Sequence, residues 1–128
     1  MPILEYEMRT YHPTKQGNIR LRVEETGEVF GTKNRSEPVD GDWASDWGPA
    51  LRRIHHPDDT VTALLEAGGF FDMPPVIAGT GLDGVRETLR YSGTRGERTV
   101  VVDRSNTPAF PALLSRLLWG LDVANELM

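Results

Sequence analysis

The sequence predicts an α+β protein: a two-layer sandwich in which an antiparallel sheet of four to five strands carries a short helix and a long C-terminal helix. Three observations predict it. Apolar residues alternate with polar ones at Leu4, Tyr6 and Met8, through Ile19, Leu21 and Val23, and again at Val85, Leu89 and Tyr91, the period of two of a half-buried strand. Short glycine-bearing turns separate several of these runs and join neighbours antiparallel. Helical spacing of apolar residues occurs in two segments only, and helices grouped outside adjacent strands cover a sheet rather than interleave with it.

The first strand is expected over Leu4 to Tyr11. A hairpin follows over residues 19 to 32, reversing at Glu25-Thr26-Gly27-Glu28. From residue 33 to 50 the chain reads as a long loop, broken by Pro38, Gly41, Gly48 and Pro49, and loops of that length are commonly functional. A short helical turn is expected over Leu51 to His55. Val61, Leu64 and Leu65 then share one helix face, with Asp58 or Asp59 as its cap and Gly68-Gly69 as its end. A second hairpin turns at residues 92 to 96, and its return strand, with Val100, Val101 and Val102, is expected at the centre of the sheet. The last helix starts at Asn106-Thr107-Pro108 and carries Phe110, Leu113, Leu114, Leu117, Leu118 and Leu121. Burying those side chains contributes on the order of 10 kcal/mol before entropy.

At 128 residues the chain is expected to be one domain. It contains no cysteine, which removes thiol catalysis, Cys-ligated zinc and disulfides together. A formal charge of −5 argues against general nucleic-acid binding, which needs clustered cations to displace counterions. No apolar window is long enough to span a bilayer. The opening MPILEYEMRT places carboxylates where a secretory signal needs positive charge and an apolar core, so a cytoplasmic location is expected. The oligomeric state is left open.

The densest chemistry is His55-His56-Pro57-Asp58-Asp59. A small metal-dependent hydrolase would use His55, His56 and Asp58 with His12, yet the i, i+4 histidine spacing of helical metal sites is absent. Helix capping is the simpler role for the aspartates. Asp40, Asp42 and Asp46 lack the closing glutamate of a calcium loop, and no serine sits in a nucleophile elbow. No catalytic residue, metal or cofactor is therefore expected. Trp43 and Trp47 in the acidic loop, with Asp42 and Asp46, and Arg86 and Arg90 on the second hairpin, are the residue types that anchor protein interfaces. A protein partner is expected at these six positions. A subunit of a larger complex is the remaining alternative.

The run LLEAGGFFDMP over Leu64 to Pro74, the hairpin from Arg86 to Val102, and Pro108 leading into Leu113, Leu114, Leu117 and Leu118 resemble the emfourin-like family of small bacterial proteins. The resemblance spans residues 60 to 121. It implies a non-enzymatic inhibitor of thermolysin-like metalloproteases, and no inhibitory residue carries across from it.

Overall fold

The computed structural model describes residues 1–10, 17–33, 47–79, 84–103 and 109–128. Seven strands form one mixed sheet: β1 Pro2–Thr10, β2 Ile19–Glu24, β3 Glu28–Lys33, β4 Arg52–Arg53, β5 Val76–Ala78, β6 Val85–Gly93 and β7 Gly96–Asp103. Their order is β4-β3-β2-β1-β6-β7-β5. Among the described residues three short helices accompany it, α1 Pro57–Ala67, α2 Ala109–Gly120 and α3 Ala124–Leu127, with one 3-10 turn over Phe70–Asp72.

This corrects the expected sandwich of four to five antiparallel strands with a long C-terminal helix. Residues 51 to 55 do not turn helically: Arg52–Arg53 pairs antiparallel with Glu28 and Val29. Val76–Ala78 runs parallel to β7, which makes the sheet mixed. The central strand is β1, and the valine-rich β7 lies second from an edge. The C-terminal helix ends at Gly120, where a Cβ would collide with Leu64. Asp122 then takes a left-handed backbone, φ 59°, and the chain restarts as the one-turn α3. Apolar period alone did not reveal that break.

One face of the sheet holds the core. Leu4 and Tyr6 of β1 lie opposite Val23 and Leu21 of β2 and opposite Tyr91 and Leu89 of β6, and all six are buried. Val61, Leu65, Phe110, Leu113, Leu117, Leu118 and Leu127 close over them from the helices. Gly68 and Gly120 allow α1 and α2 to approach, because a side chain at either would strike Leu113 or Leu64. The opposite sheet face carries the charged half of each alternating strand. Both edges end in very short strands, two residues in β4 and three in β5, the latter preceded by Pro74 and Pro75. Short, proline-flanked edges resist further strand pairing.

Candidate functional site

Strand alternation presents Glu5, Glu7 and Arg9 of β1, Arg20 and Arg22 of β2, Phe30 and Thr32 of β3, and Arg86, Thr88 and Arg90 of β6 on the outer face. Register aligns them in rows. Phe30, Arg22, Glu5, Arg90 and Thr99 form one row, and Thr32, Arg20, Glu7, Thr88 and Val101 form the next. Arg9, Arg86 and Asp103 form the row beyond.

Trp47 folds back onto this face. The Arg20 guanidinium lies 3.9 Å from its ring centroid, the Arg22 guanidinium 6.0 Å away, and the Phe30 ring centroid 6.5 Å away at a 58° tilt. Cation–π attraction and ring contact hold the indole half-buried. A shallow hollow of about 170 Å³ beside it is walled by Arg22, Glu24, Phe30 and Trp47.

Several charges on the face are already partnered. Arg9 meets Glu7 at 3.3 Å, Arg22 meets Glu24, and Arg20 Nε donates to Thr32 Oγ1 at 2.8 Å. Arg86, Arg90, Glu5 and Glu97 enter no ion pair or hydrogen bond through their side chains among the described residues.

Of the six expected contact residues, Trp43, Asp42 and Asp46 lie outside the described residues. Trp47 lies against Arg20, Arg22 and Phe30 of β2 and β3, whereas Arg86 and Arg90 occupy the same outer face from β6, beyond β1. The companions Phe30, Arg20 and Arg22 were not singled out from the sequence, although strand alternation places them beside one another. Trp119, 59% exposed on α2, was also passed over. Its signal was visible, since position 119 falls outside the apolar stripe of Leu117, Leu118 and Leu121.

No family model matches the chain, and no curated protein matches it. No described helix is long and apolar enough to cross a membrane.

The His55 to Asp59 cluster resolves into a joint between helix and hairpin. His55 and His56 are exposed, and His12 lies outside the described residues. His56 precedes α1 with a left-handed backbone, φ 49° and ψ 58°, and no side chain caps the helix. Histidine is among the few residues that favour this conformation, and Pro57 supplies the first helical φ. The expected aspartate cap is thereby corrected. Asp58 instead reaches the β6–β7 turn, accepting from Thr94 N–H at 3.1 Å and Thr94 Oγ1 at 2.8 Å, and from Thr62 Oγ1 at 2.9 Å. Burial raises the Asp58 carboxyl, but the bonds from Thr94, Thr62 and Tyr91 outweigh it and hold the group below its ordinary value. Tyr91 Oη lies 2.7 Å from Thr62 Oγ1 and accepts from Arg95 N–H at 3.1 Å.

A groove of about 500 Å³ adjoins this joint, lined by His56, Asp58, Asp59, Glu25 and Ser92 among others. Among the described residues no three His, Asp or Glu side chains are grouped as a metal site requires. Both oxygens of Asp58, the carboxylate of the hydrolase alternative, accept hydrogen bonds from Thr62 and Thr94.

A second titratable pair lies at the other end of β6. Tyr6, fully buried, donates to Glu87 Oε1 at 2.6 Å. Burial pushes the Glu87 carboxyl above its ordinary value despite that bond. Burial, then the Glu87 charge, then the shared hydrogen bond push Tyr6 well above its own.

Proposed function

We propose that this chain is a small non-enzymatic binding or regulatory protein whose outer sheet face is its contact surface, with a protease or another enzyme as the target class. The observation that carries the reading is the sheet face itself. A seven-stranded sheet buries one side under helices, while the other sets Trp47, Phe30, Arg86 and Arg90 on a rigid scaffold with no described helix over them. The aromatic side chains have two χ angles each and are already held against the sheet, so little of their contact energy is offset by lost freedom on binding.

The resemblance of residues 60 to 121 to the emfourin-like family supports a metalloprotease as the first target to try. The mixed charge of the face fits a protein surface better than a polyanion. A cytoplasmic location accords with the cysteine-free composition.

The test is capture of a target enzyme, beginning with a thermolysin-like metalloprotease, by the wild type and by Trp47→Ala and Arg90→Glu. Loss of capture in both variants, with unchanged far-UV circular dichroism, is the expected result. Undiminished capture by both overturns the assignment of this face.

A further inference from the structure

We draw no further inference here: the strongest candidate, the groove of about 500 Å³ where the start of α1 meets the β6–β7 turn, lined by His56, Asp58, Asp59 and Glu25, rests on a helix N-terminus and an acidic cluster, and among the described residues no buried side chain without a partner lines it to point to a ligand.

Discussion

Glu87 and Asp58 show how much a single carboxyl depends on its surroundings. Glu87 sits on the core-facing parity of β6, where strand alternation would place an apolar residue, and Tyr6 supplies its hydrogen bond. Its folded value lies above its unfolded one, so the stability it contributes is present below the unfolded carboxyl value of about 4.3 and is lost as pH rises through the folded value. Glu87→Gln keeps an acceptor for Tyr6 and removes the desolvated charge. Urea melts at pH 7 are expected to show it more stable than the wild type by about 0.5–1 kcal/mol, a difference that disappears near pH 4. Asp58 behaves with the opposite sign. Its folded value is depressed, so its contribution is present above the unfolded value of about 3.9 and is lost as pH falls through the folded value. Asp58→Ala is expected to destabilise by about 1 kcal/mol at pH 7, reduced from a fully buried case by its solvent exposure. The acidic residues were legible in the sequence; their distant partners, Tyr6 81 positions from Glu87 and Thr94 36 positions from Asp58, were not.

At the scale of elements, turn chemistry read from sequence was the most dependable guide, because it depends on a few adjacent residues. The first hairpin reverses through Gly27 at φ 98°, and a Cβ there would also meet the Ile54 carbonyl. Gly27→Ala therefore combines backbone strain with collision against another backbone. Thermal unfolding is expected to reveal a loss of at least about 2 kcal/mol. The α1 terminus was harder to read. Asp58 and Asp59 have the composition of a cap, but the hydrogen-bonding demand of the distant β6–β7 turn took Asp58, and His56 set the entry by its backbone alone. Similarly Val76–Ala78 is too short to carry a periodic signal, and it exists as a strand only because β7 lies beside it. The expected Leu51 to His55 turn failed for the same reason: Arg52–Arg53 extends because β3 offers it a partner, while Arg52 also binds Asp122 and Glu126 at the C-terminus. The Arg52 guanidinium is held above its ordinary value by those two carboxylates.

For the whole molecule, one core lies between the inner sheet face and the helices, so deletion within it should be felt throughout. Leu117 is fully buried in that core, and Leu117→Ala is expected to cost about 2–5 kcal/mol in a denaturant titration. Against a typical total of 5–15 kcal/mol that is a large share, and a single cooperative transition is the expected form. The outer face is the other global feature, and its use is what the capture experiment decides. Local pattern by itself determined the alternating strands, the hairpin turns, the apolar stripes of α1 and α2 and the absence of cysteine chemistry, because each depends on residues close in the chain. Tertiary structure alone decided the seven-strand order, the parallel β5, the break after Gly120, the service of Asp58 to a distant turn and the meeting of Trp47 with Arg20 and Phe30. Those features depend on which surfaces lie opposite one another once the chain has closed, and no period or spacing within a segment encodes that.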